Sequence, residues 1–275
     1  MEALKIGVYG LNSTHFDAFH EVFSEKKEIE IYCAHDENIE TSNRRKKEYG
    51  NFIKFGKEYF SKCDGFMILN RFGDEHLEPF EKLIKYKKPI FIDKPITLTT
   101  EDAEKISEIS NREEIQTSSN SPLEFSKEFV ELQSYIKRID GRLNIIFQGP
   151  MECNDLGSDI RFKSPLFYGI HIFEMISRVI VENSFVINKI HRNGKLLTID
   201  CDKVAFEVYL HKDSCEFYSI STISIEEQKN FDVNLDGSYY DGFTDYLVNF
   251  FLSKFKGKDL LKKSLRAMEF SESYK

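Results

Sequence analysis

From residue 4 to about residue 120, short β-branched or aromatic runs alternate with longer segments of helical period, and this alternation restricts the fold more than any other feature of the chain. The strand-like runs are Lys5 to Tyr9, Ile29 to Ala34, Phe52 to Phe55, Gly65 to Leu69, Pro89 to Ile92 and Ile115 to Ser118. Between them lie helical segments at Thr14 to Phe23, Ile39 to Tyr49, Glu75 to Tyr86 and Thr100 to Ile109. Parallel neighbours need a long crossover, so strands separated by helices of this length imply βαβ units on one parallel sheet. Six such strands complete a doubly wound, nucleotide-binding domain of the Rossmann type, expected over residues 1–120.

The pattern changes after Ser121-Pro122. A helix (Leu123 to Lys137), an apolar strand (Leu143 to Gln148), a polar loop and a second helix (about Pro165 to Val181) lead into strands at Phe185 to His191, Lys195 to Ile199, Val204 to Leu210 and Glu216 to Ile225. The turn Arg192-Asn193-Gly194 separates the first two of them and the turn His211 to Ser214 the last two, and strands joined so tightly pair antiparallel. Helices at Thr244 to Phe255 and Leu260 to Glu272 close the chain. The expected class is α/β: an N-terminal Rossmann domain, then over residues 121–275 an α+β domain with a mainly antiparallel sheet.

With 41% hydrophobic residues in 275, the chain can bury a full core. Its net charge of −8, with no patch of Lys and Arg interleaved with aromatics, argues against a nucleic-acid surface. The densest basic run, Asn43 to Lys47, reads as the solvated face of a helix. Five scattered cysteines (Cys33, Cys63, Cys153, Cys201, Cys215) without a C-x-x-C pair indicate neither a disulfide framework nor a zinc site. No segment approaches the roughly 20 apolar residues of a membrane span, so a cytoplasmic protein without membrane partners is expected.

The first strand and its turn read Ile6-Gly7-Val8-Tyr9-Gly10-Leu11-Asn12-Ser13-Thr14-His15. A dinucleotide turn uses three glycines: for tight bending, for backbone approach to the pyrophosphate and for helix packing. Gly10 supplies the first, Asn12 and His15 stand in the other two positions, and Gly7 is counted with them as a cofactor-binding candidate. Ser13 and Thr14 can cap the helix and leave its amides facing an anion. Asp36, after the second strand, stands where a carboxylate accepts the adenosine ribose hydroxyls, which favours NAD over NADP; it could equally cap the helix near Asn38. His35 and Arg44 leave NADP open. Asn70 ends the fourth strand, His76 lies on the following helix, and Asp93-Lys94-Pro95 ends the fifth. Ligands of open parallel sheets bind outside the carboxyl ends of the strands, which points all of these toward a cofactor cleft. A lysine held there before a proline is suited to protonating a substrate oxygen; its ordinary alternative is a surface lysine at a turn.

The segments "LKIGVYG", "AHDENIETSNRRKKEYG", "DGFMILNRFGDEHLEPFEKLIKYKKPIFIDKPITLTTEDAEKI", "YGIHIFEMI" and "RAMEFSESYK" together resemble the Gfo/Idh/MocA oxidoreductases. The resemblance implies an NAD(P)-dependent enzyme that moves hydride between nicotinamide and a small molecule, its C-terminal sheet supporting a homo-oligomer. Asp93-Lys94-Pro95 stands where the family has Glu-Lys-Pro, which makes Lys94 the catalytic lysine, and His76 matches a recurrent histidine. The family's second element, an aspartate four residues before a histidine, becomes Phe167 and His171 here. The histidine is retained and the carboxylate is not. Tyr168 and Glu174, each three residues from His171, are expected to reach it or the substrate. Phe167 suits a substrate less polar than a sugar or polyol, such as a carbonyl or imine. It also opens a second reading, a non-catalytic nucleotide-binding regulatory or partner protein.

Cys153, Asn154, Asp155 and Asp159 are weaker pocket candidates. Asp232, Asp236 and Asp241 lack the spacing of a calcium loop, and no metal is expected.

Overall fold

A computed structural model describes residues 2–151, 159–212, 217–225 and 227–274; Cys153, Asn154, Asp155 and Cys215 lie outside them. The chain divides into two compact units, Met1–Asn120 with Phe243–Leu261, and Ser121–Gly242 with Lys262–Lys275.

In the first unit β1 (Leu4–Tyr9), β2 (Ile29–His35), β3 (Lys54–Phe55), β4 (Gly65–Ile68), β5 (Ile90–Ile92) and β6 (Thr117–Ser119) form a sheet in the order β3-β2-β1-β4-β5-β6, parallel throughout. The crossovers carry α1 (Thr14–Ser24), α2 (Ile39–Tyr49), α3 (Leu77–Leu83) and α4 (Thr100–Arg112). Side chains that satisfy the first amides begin three of these helices: Ser13 accepts from His15 N, Asn38 from Thr41 N and Thr99 from Asp102 N. The doubly wound arrangement expected from periodicity is therefore present, and the strand order reverses between β1 and β4.

Gly7 lies within β1, opposite Cys33 on one side and Phe66 on the other. A methyl group there would come within 2.9 Å of the Phe66 ring and 3.0 Å of the Cys63 sulfur. Its bare backbone lets Cys33 and Cys63 meet across β1, with their sulfurs 3.4 Å apart. Gly7 therefore serves core packing rather than the cofactor turn for which the sequence suggested it.

Residues 243–261, expected in the second domain, return to the first unit. Phe243 packs on Phe19 and Phe91 at centroid distances of 5.7 and 5.6 Å, Tyr246 meets the Ser118 hydroxyl at 2.6 Å, and Phe250 O accepts from Gln116. Five buried apolar side chains, Phe243, Leu247, Phe250, Phe251 and Leu261, and the bonds to Ser118 and Gln116 hold this segment, which sequence order alone does not assign.

In the second unit α5 (Lys127–Ile136) and α6 (Ile170–Asn183) accompany β7 (Leu143–Pro150), β8 (Ile187–Asn193), β9 (Leu196–Cys201), β10 (Val204–His211), β11 (Tyr218–Ile223) and β12 (Gln228–Val233). α7 (Tyr239–Phe251) carries the chain out of the unit, and α8 (Lys262–Tyr274) returns to it. The sheet runs β12-β11-β7-β10-β9-β8, with antiparallel pairs except at its centre, where β7 and β10 run parallel over eight residue pairs. That pair and β12 were not legible in the sequence, and β10 and β11, expected to pair across the turn from His211, are separated by β7. β12 reads Gln-Lys-Asn-Phe-Asp-Val, whose only buried side chains, Phe231 and Val233, are too few to stand out as a run. α6 buries ten of its residues, including Ile172, Phe173, Met175, Ile176 and Val179. No helix of the described residues is long and apolar enough to cross a membrane.

Candidate active site

The turn after β1 is built for close backbone approach. Gly10 has φ of +88°, a conformation that costs glycine little, and a Cβ there would lie 2.4 Å from Asn70 Oδ1 and 2.5 Å from Asn70 N. Leu11 N donates to Asp36 Oδ2 at 2.7 Å, and Leu11 O accepts from Arg45 Nε at 3.1 Å. Asn12 Oδ1 accepts from Arg71 N, which ties the turn to the loop after β4. Ser13 caps α1, and Thr14 begins it exposed to solvent. Arg45, from the basic run read as solvated, is instead buried and bonded to both oxygens of Asp17, although Arg44, Lys46 and Lys47 around it are exposed.

Asp36 is buried, and its other oxygen accepts from Asn38 N at 2.8 Å. With both oxygens on main-chain amides it braces the turn and the end of β2. The more accessible carboxylate at this strand end belongs to Glu37, which sequence reasoning missed although it directly follows Asp36. Lys57 and Lys82 reach Glu37 at 2.6 and 2.8 Å, the Tyr9 hydroxyl also donates to it, and together they hold its carboxyl well below the usual range.

His15, in the position of the missing third glycine, reaches over to the end of β5, where its Nδ1 stands 2.6 Å from Asp93 Oδ2. Asp93 Oδ1 accepts from Lys94 N at 2.9 Å. Burial raises the Asp93 pKa, but the charges of His15 and Lys94 outweigh it and leave the group below its ordinary value. Lys94 is 8% exposed, and the peptide bond to Pro95 is cis. Burial lowers the Lys94 pKa, Asp93 opposes this, and Arg71 reinforces it. An amine so placed gives up its proton more readily than a surface lysine.

His76, expected to flank the nicotinamide, is fully buried. Its Nδ1 lies 2.9 Å from Pro95 O and its Nε2 2.9 Å from Asn70 O, so the ring spans from the end of β4 to the loop of Lys94. Asn70 Oδ1 is buried and has no hydrogen-bond partner among the described residues. Gly10, Asn12, Ser13, His15, Asn70, His76, Asp93 and Lys94 are thus linked around the carboxyl ends of β1, β4 and β5, as a dinucleotide site requires.

In the second unit His171 is buried in the first turn of α6, and its Nδ1 is 2.6 Å from the Ser121 hydroxyl oxygen. Tyr218 stands edge-on to the imidazole at 5.6 Å. Tyr168 contributes its carbonyl to the Tyr218 hydroxyl, and Phe167 packs against Phe162 and Tyr168. Glu174 does not pair with His171 as expected. Its Oε2 lies 3.2 Å from Lys263, which also reaches both oxygens of Glu124 at 2.6 and 2.7 Å. Burial pushes the Glu174 carboxyl up to about 7, Lys263 opposes this, and the Glu124 charge adds to it. Ser121, the partner that His171 does have, lies fifty residues away in the sequence and carries no local signal.

Residues 4–121 match the oxidoreductase family with an NAD-binding Rossmann fold. No curated protein matches the chain. Among solved structures, scyllo-inositol dehydrogenase from Lactobacillus casei with bound NAD(H) and scyllo-inositol is 14% identical with a TM-score of 0.75, over 98% of this chain and 95% of that one. A dehydrogenase from Clostridium difficile is 14% identical (TM-score 0.73; 98% and 97% covered). GenD2 from gentamicin A biosynthesis, in complex with NAD, is 11% identical (TM-score 0.73; 99% and 93% covered). At these identities the likeness is one of fold.

Proposed function

We infer, from residues 4–121, which belong to the Gfo/Idh/MocA oxidoreductases, that this protein is an NAD(P)-dependent oxidoreductase acting on a small molecule bearing a hydroxyl, carbonyl or imine. A polyol-like substrate is supported by the similar fold of an inositol dehydrogenase, and a less polar one by Phe167. The observation that carries the reading is the buried Lys94, poised at the carboxyl end of β5 beside the Gly10 turn's partners.

The residues fit a dinucleotide. The Gly10 turn leaves no room for a side chain, α1 begins with capped amides behind it, and the orphaned Asn70 Oδ1 offers an acceptor at the strand ends. Bound there, the cofactor supplies or accepts hydride. The backbone of residues 10–15 holds the diphosphate, with His15 fixed by Asp93. Glu37, not Asp36 alone, meets the adenosine ribose, which favours NAD. Lys94 holds the proton that accompanies hydride transfer: its ammonium hydrogen-bonds the substrate oxygen and yields a proton to it in reduction, or its amine takes one in oxidation. His76 fixes the Lys94 loop through the Pro95 carbonyl. In the second unit, the match of His171 to the family's histidine makes it a candidate substrate group of that unit.

Titration with NADH and with NADPH, followed by nicotinamide fluorescence, tests cofactor binding, and a screen of polyols, ketones and imines with Lys94→Ala as control tests catalysis. Silence with both cofactors refutes the reading. Binding without turnover favours the non-catalytic alternative, to which Phe167 in place of a carboxylate lends support.

A further inference from the structure

We propose that Ser121 is the positioning residue of His171 and that it fixes the imidazole as the Nε2–H tautomer, so that His171 presents a hydrogen-bond donor rather than a base. This rests on the assignment of His171 to the substrate, and it changes the role that the family resemblance implies for that residue.

Hydrogen-bond bookkeeping at Ser121 carries the inference. Ser121 is fully buried at the start of a short 3-10 turn, Pro122–Phe125. Its oxygen already accepts from Leu123 N at 3.2 Å, and its own amide donates to Glu124 Oε1 at 2.9 Å. The hydroxyl hydrogen therefore needs an acceptor, and among the described residues the one within reach is His171 Nδ1, at 2.6 Å. Were Nδ1 to carry the proton, it would donate to the serine oxygen and leave the hydroxyl hydrogen buried without a partner, which is the costlier arrangement. The arrangement that satisfies every group has Ser121 donating to a bare Nδ1, with the hydrogen on Nε2.

Ser121 cannot swing away to relieve a wrong tautomer. Glu124 holds its amide, Lys263 clamps both oxygens of Glu124, and Arg178 Nη1 donates to Glu124 O at 2.8 Å. On the other side Tyr218 limits ring rotation. Glu124, Glu174, Arg178 and Lys263 form ion pairs with one another behind Ser121. A carboxylate at position 167 would instead have favoured an Nδ1–H tautomer and a basic Nε2. With Phe167 there and a hydroxyl as partner, the ring is suited to donating to a carbonyl or oxyanion.

The test is the tautomer itself, read by two-dimensional proton–nitrogen NMR of the histidine rings in the full-length protein without added ligand, with His171 assigned through His171→Gln. The expected spectrum shows Nε2 protonated and Nδ1 bare. Ser121→Asp is expected to move the proton to Nδ1, and Ser121→Thr to keep the native pattern. A native spectrum with Nδ1 protonated overturns the proposal, as does a Ser121→Ala protein whose His171 signals are unchanged. Once a substrate is in hand, Ser121→Ala should lower kcat about ten-fold with little change in KM, and Ser121→Thr should restore it. Failure of cofactor binding would refute the oxidoreductase reading without touching the tautomer, so the two outcomes are separable.

Discussion

Each unit holds a buried constellation with a lysine at its centre, and the two are built to opposite ends. In the first, Lys94 follows Asp93, whose carboxylate is shared with His15, on the loop at the carboxyl end of β5. In the second, Lys263 lies between Glu124 and Glu174, joined to them by contacts of 2.6 to 3.2 Å inside packed helices. Burial weakens the hold of Lys94 on its proton, whereas in the second cluster burial strengthens the hold of Glu174 on its own. Buried charge is therefore no mark of catalysis by itself: its place at a ligand-bearing edge or within a helix interface decides what it does.

Substitutions can break this contrast. The largest effect is expected from Lys94→Ala, which should reduce turnover by about 10²- to 10⁴-fold while NADH binding persists; a kcat within two-fold of the native enzyme would put Lys94 outside the chemistry. Lys263→Met should do the reverse in kind. It strands two buried carboxylates and should cost about 3–5 kcal/mol of stability in urea unfolding, whereas Lys94→Met should leave stability nearly unchanged. Equal losses from the two would erase the distinction.

Glu174 sharpens it through pH. Its folded value near 7 lies above the ordinary 4.5, so the native state keeps a proton that the unfolded chain has released, and its contribution to stability falls as pH rises from about 4.5 to 7. Glu174→Gln should remove that slope: the Tm difference between variant and native protein should widen in favour of the variant between pH 5 and pH 8, by about a few degrees. Parallel melting curves would show that the carboxyl is ionised throughout. The smallest effect is expected at the exposed end of β2, where Glu37→Gln should free Lys57 and Lys82 and shift the ratio of NADPH to NADH affinity upward by about three-fold, measured by fluorescence titration.

Much of the first unit was legible before folding. Alternation with helical period located its strands and helices, Gly10 marked the turn, and Lys94-Pro95 marked the carboxyl end of β5, because each signal is local. The candidate site was legible as a set of residues but not as a set of roles. Asp36 reads as a ribose ligand, yet its oxygens go to Leu11 N and Asn38 N; His76 reads as a cofactor contact, yet it clamps two main-chain carbonyls. Glu174 lies on the same turn as His171 and still bonds to a lysine 89 residues further along the chain. β12 escaped notice because few apolar residues mark it, whereas residues 243–261 read as a helix whose place in the first unit depends on Gln116 and Ser118, partners distant in sequence.

What the sequence determined by itself was whatever depends on neighbours within about four residues: the period of each element, the Ser13, Asn38, Thr99 and Ser121 caps, and the left-handed turn at Gly10. What only the tertiary structure decided was the destination of each polar side chain, together with the parallel pairing of β7 with β10. A side chain with several rotamers reaches many partners, and the cost of burying its polar atoms unsatisfied selects among them only once the chain has closed around it.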